Sequence, residues 1–299
     1  MTQAHEIKLS QSRLGTMKDC LGKYFYHYIE KADVKKNTWS TTIFGEIIHE
    51  QIDLFLKKYQ SDPSFQKEVD KIISKSKIKF TQEFLEEHNL HFQKIYEDTM
   101  AHYKKEKIKV TFTKKFPLKS FLEFGDKWGP EVLKFIVRYL NINDHFENEK
   151  EFEIQIPKEF LDKKQKISIT MKGVYDHKRE SDIVDFKTTS MPEKYYFVDW
   201  ERDIQSLLYF FSFKEEGGEY PKSFTYVVFN ILDSMFFVVK HDYANTKESI
   251  DIMKKNFKQY IDYFVEMHKK ASDNKYWNPE KTRCKFCDYN KICEVKIDK

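Results

Sequence analysis

The stretch Gly173-Val174-Tyr175-Asp176, followed after His177-Lys178-Arg179-Glu180-Ser181-Asp182 by Ile183-Val184-Asp185-Phe186-Lys187, reads as two β-rich runs joined by a tight polar turn. With the turn centred on Glu180 and Ser181, antiparallel counting pairs Lys178 with Ile183, His177 with Val184, and Asp176 with Asp185. The two aspartates then face each other across the ladder. Like charges opposite one another destabilise a sheet, so a fold that keeps them needs a cation between them, and a divalent ion is the natural one. Period-two alternation sets Lys187 on the face of Asp185 and turns Phe186 to the other side. Two hard oxygen ligands suit Mg²⁺ or Mn²⁺, which polarises a phosphoryl oxygen and acidifies bound water, while a neighbouring ammonium stabilises the developing oxyanion. That is the equipment of a metal-dependent phosphodiester-cleaving enzyme. A surface hairpin whose charges are merely solvated accounts for the same residues.

Around the hairpin, apolar periodicity predicts helices over 10–28 and 42–59, then a helical block over 64–140 broken near 111–117 and 125–130. Strands follow at 152–156, 167–177 and 183–187. A helix over 200–213, strands at 224–230 and 235–240 and a helix over 246–271 precede a cysteine-rich segment at 272–299. This is the order of an α/β protein. The 299 residues suffice for one domain over 1–299 with an insertion at 60–148. Only 8 Gly and 7 Pro argue against long linkers, and 27 Phe with 18 Tyr argue against disorder. A net charge of +4, from 52 basic and 48 acidic residues, requires any nucleic-acid surface to be local.

The 60–148 block carries Lys104-Lys105-Glu106-Lys107 and Lys114-Lys115 among Tyr and Phe residues. This suits phosphate neutralisation and base stacking on a single strand, and a solvated helical face over an aromatic core explains it as well. The first ten residues lack the apolar core of a signal peptide and no apolar run is long enough to span a membrane, so a soluble cytoplasmic protein is expected. No Gly-x-x-x-x-Gly-Lys-Ser/Thr loop is present, so the chain carries no ATP motor of that type.

Four cysteines form the second signal: Cys20, then Cys284-x-x-Cys287 and Cys293. A cytosolic chain has little use for structural disulfides, and three cysteines within ten positions argue for a metal site. Zinc more usually sits between two Cys-x-x-Cys knuckles or in a cysteine and histidine mixture, whereas here one knuckle is joined by two single cysteines. Zinc and four unrelated buried thiols remain the alternatives.

Asp176 followed by Asp185-x-Lys187 has the spacing of the PD-(D/E)XK nuclease core, and the text Gly-Val-Tyr-Asp-His and Ile-Val-Asp-Phe-Lys-Thr resembles its RecB-like branch. The resemblance implies a restriction-endonuclease-like α/β core of order αβββαβ, with residues 60–148 as a helical insertion covering the active site. That branch carries Gln-x-x-x-Tyr on the next helix, matched by Gln205 and Tyr209, whose spacing puts both on one face. It also carries a histidine on an early helix, often as Gly-x-x-x-His, matched by Gly45 and His49. His49 is thereby implied as a third metal ligand, with Gly45 leaving room for a close neighbour and Glu50 as a weaker candidate. Phe44, Ile47, Ile48, Ile52 and Phe55 also allow His49 as a packed residue, and Leu207, Leu208, Phe210 and Phe211 allow the same for Gln205 and Tyr209.

One distant cysteine with C-x2-C-x5-C resembles the iron-sulfur staple of a subset of these nucleases. It implies a 4Fe-4S cluster on Cys20, Cys284, Cys287 and Cys293 that ties the first helix to the carboxyl-terminal segment. Leu9-Ser10-Gln11-Ser12-Arg13-Leu14 looks like the family's opening helix, while Leu21 stands where many relatives carry proline. The implied protein is a stand-alone Mg²⁺- or Mn²⁺-dependent deoxyribonuclease, similar to the exonuclease V group and the small CRISPR-adaptation nucleases. It would act as an exonuclease on single-stranded DNA in repair, recombination or replication, beside a helicase or recombination partner. His49, Asp176, Asp185 and the Phe186 carbonyl would hold the metal, Lys187 would orient water, and Gln205 and Tyr209 would position DNA or support the site. The alternatives are a non-catalytic iron-sulfur DNA-binding subunit of a repair, recombination or CRISPR-adaptation complex, and an iron-sulfur partner protein for a replication or recombination complex.

Overall fold

The computed structural model describes residues 5–112, 117–140, 142, 145–162, 167–231, 235–273, 284 and 287–293. In chain order the elements are β1 (His5–Leu9), α1 (Gln11–Asp19), α2 (Leu21–Tyr24), a π-helical turn at Phe25–Ile29, β2 (Asn37–Trp39), α3 (Ser40–Ser61), α4 (Pro63–Ile73), α5 (Gln82–Glu87), α6 (Phe92–Lys105), β3 (Lys109–Thr111) and α7 (Leu118–Tyr139). They continue as β4 (Phe146–Gln155), a 3-10 turn at Lys158–Phe160, β5 (Ile167–Arg179), β6 (Asp182–Thr189), α8 (Glu193–Tyr196), α9 (Ile204–Gly217), β7 (Ser223–Asn230), β8 (Met235–Asp242) and α10 (Lys247–Ser272). The run α3, β4, β5, β6, α9, β7 follows the αβββαβ order, around a mixed sheet.

That sheet is built on β5 and β7. β5 pairs antiparallel with β4 along one edge. Its other edge pairs with β1 in parallel at 167–171 and with β6 antiparallel at His177–Val184 and Lys178–Ile183. The β5–β6 register is the one that counting from the Glu180–Ser181 turn gives, but the ladder stops short of Asp176 and Asp185. The reason is competition for β6, which pairs in parallel with β7 from Asp182 to Thr189 and so leaves β5 after two residue pairs. The strands open into a cleft where the aspartates lie.

Both faces of the sheet are apolar and both are covered, as parallel pairing demands. Val184, Phe186, Val227 and Phe229 pack under α3 and α7 with Phe44, Ile48, Phe121 and Trp128. Ile183, Phe224 and Val228 pack on the opposite side with Leu14, Tyr24, Phe210 and Phe257 from α1, α2, α9 and α10. The assignment of alternate residues to opposite cores is the period-two rule at work.

Several boundaries depart from the sequence reading. The helix expected over 10–28 is broken at Cys20, whose extended backbone (φ −164°, ψ 116°) ends α1 and starts α2. Leu9 closes β1, a strand that the reading did not contain. α7 runs unbroken through Gly125 and Pro130, where a break was expected. Gly125 is there for contact: a Cβ would lie 2.2 Å from the Phe92 ring, so the glycine lets α6 seat its aromatic against α7. β4 begins at Phe146, six residues before the predicted 152, and the two-stranded β2–β3 ladder had no sequence signal. Lys114-Lys115 and much of 272–299 lie outside the described residues. Among the described residues no helix is long and apolar enough to cross a membrane.

Candidate metal centre and catalytic site

α3 brings His49 to the cleft because Gly45, one turn earlier, lets the helix touch β6. A Cβ at Gly45 would lie 2.5 Å from Thr188 Oγ1. His49 Nδ1 stands 3.6 Å from Asp176 Oδ2. The Phe186 N–H donates to the same oxygen at 2.7 Å, and His49 also hydrogen-bonds the Phe186 backbone. The Phe186 ring itself lies in the core under α3.

β4 adds a residue that sequence reasoning missed. Its pairing steps from Asn148–His177 to Lys150–Tyr175, and between them Glu149 takes the left-handed conformation (φ 46°) opposite Asp176. A non-glycine residue held there is costly and recurs at functional sites. Ligand-type atoms of His49, Glu149 and Asp176 all lie within 4.8 Å of one another. Extending the predicted strand back to 146 and counting across from Asp176 would have found Glu149. Glu50, the weaker candidate, lines the same cavity.

Asp185 lies beside this group, held by different partners. It is 1% exposed. Gln205 Nε2 donates to its Oδ1 at 2.6 Å, and the Lys187 ammonium contacts its Oδ2. Tyr209 accepts from Gln205 at 3.2 Å and donates to the Val174 carbonyl at 2.6 Å. Both residues share a face of α9, whose start is capped by Asp203 accepting from the Ser206 N–H at 2.8 Å. Thus His49, Glu149 and Asp176 converge at one point, while Asp185, Gln205 and Tyr209, all buried, and the half-buried Lys187 form an adjoining hydrogen-bonded set.

The cluster is short of positive charge. Burial pushes Asp176 up to about 6 against the pull of Lys187. Burial also pushes Asp185 up to about 7, with Lys187 opposing and Asp176 reinforcing. Glu149 reaches solvent yet rises to about 7, through crowding by protein and the charges of Asp176 and Asp53. Burial and Lys187 drive His49 down to about 4, so its nitrogen is free to coordinate at neutral pH. Burial pulls Lys187 down, but Asp185 and Asp176 outweigh it and the ammonium is held above its usual range. Carboxylates reluctant to ionise beside a neutral imidazole fit a divalent cation, which would supply the missing charge.

The site opens into a cavity of about 630 Å³ lined by Gly45, His49, Glu149, Asp176, Thr188 and Ser190. A second cavity, of about 1030 Å³, shares Glu46 and Glu50 with it and extends between α3 and α6.

The cysteines lie elsewhere. Cys20 Sγ accepts the Lys23 N–H at 3.4 Å at the start of α2. Residues 287–293 pack on the adjacent π-helical turn: Tyr289 stacks on Tyr26 with ring centres 5.9 Å apart, and its hydroxyl bonds His27 Nδ1 at 2.7 Å. Cys287 lies near enough to Cys20 for their charges to interact, and all four thiols are free of disulfides. Among the described residues, no three cysteine sulfurs come within 4.8 Å of one another as the His49 group does.

A search of curated protein sequences finds no match to the chain. The family model of the PD-(D/E)XK nuclease superfamily matches residues 8–294, a span that includes the hairpin, His49, Gln205, Tyr209 and all four cysteines, and the chain belongs to that superfamily.

Proposed function

We propose that this nuclease is a metal-dependent deoxyribonuclease of the RecB-like branch, acting as an exonuclease on single-stranded DNA in repair, recombination or replication. The observation that carries the reading is the convergence of His49, Glu149 and Asp176 beside the ion pair of Lys187 with the buried Asp185. Bound Mg²⁺ or Mn²⁺ would supply Lewis-acid polarisation of the phosphate and a more acidic water. His49 offers a neutral nitrogen, Glu149 and Asp176 offer oxygens, and Asp185 and the Phe186 carbonyl are the adjoining ligands. The Phe186 N–H and Gln205 keep the two aspartates in fixed orientations. Lys187 stays an ammonium, so it donates hydrogen bonds to the attacking water and to the phosphate as negative charge develops. The helices α4 to α7, with the wide groove against α3, are suited to guide a strand toward the cavity.

Cleavage of DNA labelled separately at each end, with Mg²⁺ or Mn²⁺ and with chelator, tests the reading. Metal-dependent cleavage is expected, and the label pattern gives the polarity. Binding without cleavage in either metal would replace it with the DNA-binding subunit.

Metal affinity should follow the carboxylates and not the histidine. Asp176, Asp185 and Glu149 must shed protons that they hold up to about 6 or 7, whereas His49 is already neutral above about 4. Affinity measured by calorimetry is therefore expected to rise by about tenfold or more from about pH 5 to about pH 8, with proton release on binding. An affinity flat over that range would contradict the assignment.

A 4Fe-4S cluster on Cys20, Cys284, Cys287 and Cys293 completes the proposed protein. Support comes from the docking of 287–293 beside the segment that Cys20 opens. Anaerobically purified protein is expected to be brown and to contain iron and acid-labile sulfide in equal amounts, both lost in Cys20→Ala. Colourless protein carrying one zinc per chain would overturn this.

A further inference from the structure

We propose that Phe197, which follows Tyr196 on the chain, is a stacking platform for an unpaired nucleobase beside the scissile phosphate, and that it gives the enzyme its preference for single strands. This rests on the nuclease reading of the site and extends it to a surface outside the metal-binding and Asp185 groups.

The platform is the continuation of the catalytic strand. β6 carries Asp185 and Lys187 and ends at Thr189, which with Ser190 lines the catalytic cavity. Thr189 Oγ1 accepts the Met191 N–H at 2.9 Å and pins the chain as it leaves the sheet. Within eight residues of the end of β6, Met191, Tyr196 and Phe197 are 57%, 46% and 91% exposed. An aromatic ring that exposed buries almost nothing on folding, so the fold gives no reason for it, and clustered apolar exposure marks a binding surface.

The neighbours fix its position and its charge. Tyr195 turns inward with its ring 5.2 Å from that of Tyr226, which lies 5.7 Å from Lys187 Nζ. Tyr196 rests against Phe237 at 4.8 Å, which leaves Phe197 outermost. Lys194 stands over the Tyr195 ring at 4.8 Å, and its charge acts on Lys187. A phosphate held against Lys187 would therefore have the charge of Lys194 nearby, and the base attached to it would meet the rings. Only an unpaired base has a free π-face to offer, because a duplex already stacks its own.

The test compares native protein with Phe197→Ala, Phe197→Trp and, as a control, Ile252→Ala, which alters an exposed apolar residue on α10. Steady-state cleavage of single strands is expected to show KM raised about tenfold in Phe197→Ala, native behaviour in Ile252→Ala and recovery in Phe197→Trp. All variants should unfold at the native temperature. A 2-aminopurine base in the strand should be quenched by native protein and not by Phe197→Ala. Native KM and native quenching in Phe197→Ala, alongside active native enzyme, would overturn this proposal alone. Native protein that cuts no strand would overturn the nuclease reading and this proposal together.

Discussion

Asp185→Asn is expected to slow DNA cleavage by about a thousandfold or more, the scale set by losing a metal ligand and an electrostatic partner at once. Asp185 is a hub, with Gln205 on one oxygen and Lys187 on the other. The amide keeps the shape but removes the larger of the two carboxylate charges that together outweigh the burial of Lys187. The lysine then tends to lose its proton as the phosphate loses its metal-side support. Lys187→Ala should cost a similar factor by another route, because it leaves Asp185 buried without its cation. Metal titration against pH separates the two: Asp185→Asn weakens affinity throughout, whereas Lys187→Ala, which removes the charge that holds Asp176 and Asp185 down, weakens it near neutral pH and lets it recover at higher pH. Single-turnover cleavage of end-labelled single strands is the measurement. An Asp185→Asn rate within about tenfold of native would remove Asp185 from the mechanism.

Gly45→Ala should lower stability by about 1–3 kcal/mol even though alanine is the better helix former. Its Cβ would meet Thr188 Oγ1 at 2.5 Å, so α3 and β6 must part. His49 sits one turn along α3, and Lys187 is the residue before Thr188, so the same shift should weaken metal binding and cleavage. Thr188→Ala removes the obstructing oxygen and leaves the Thr188 Cβ at 3.8 Å, an ordinary contact. The double variant is therefore expected to recover most of the loss, with a coupling of about 1 kcal/mol or more in denaturant unfolding. Gly15→Ala in α1 is the control, since a Cβ there meets nothing within 4 Å and should stabilise by up to about 1 kcal/mol. Gly45→Ala as stable as native would show that the contact gives way freely.

Much of the site could be read along the chain because local geometry governs it. The two-residue turn sets the β5–β6 register, so His177 pairs with Val184 as counting requires. Helical spacing alone puts Gln205 and Tyr209 on one face, and they act on the same carboxylate neighbourhood. Alternation alone puts Lys187 beside Asp185 and sends Phe186 into the core.

Other features depend on elements distant in sequence. The two aspartates are not joined in the ladder, because β6 leaves β5 to pair with β7. Asp176 therefore meets His49 and Glu149, while Asp185 goes to Lys187 and Gln205. Glu149 joins because β4 runs six residues further back than its apolar pattern indicates and bends to a positive φ opposite Asp176. The continuous α7 follows from Phe92 needing the space at Gly125. Turn, alternation and helix period act between neighbours, so the chain alone decides which side chains share a face. Which faces meet is decided only when both sides of one sheet are buried together, since strand partners and helix contacts then compete for the same edges and surfaces.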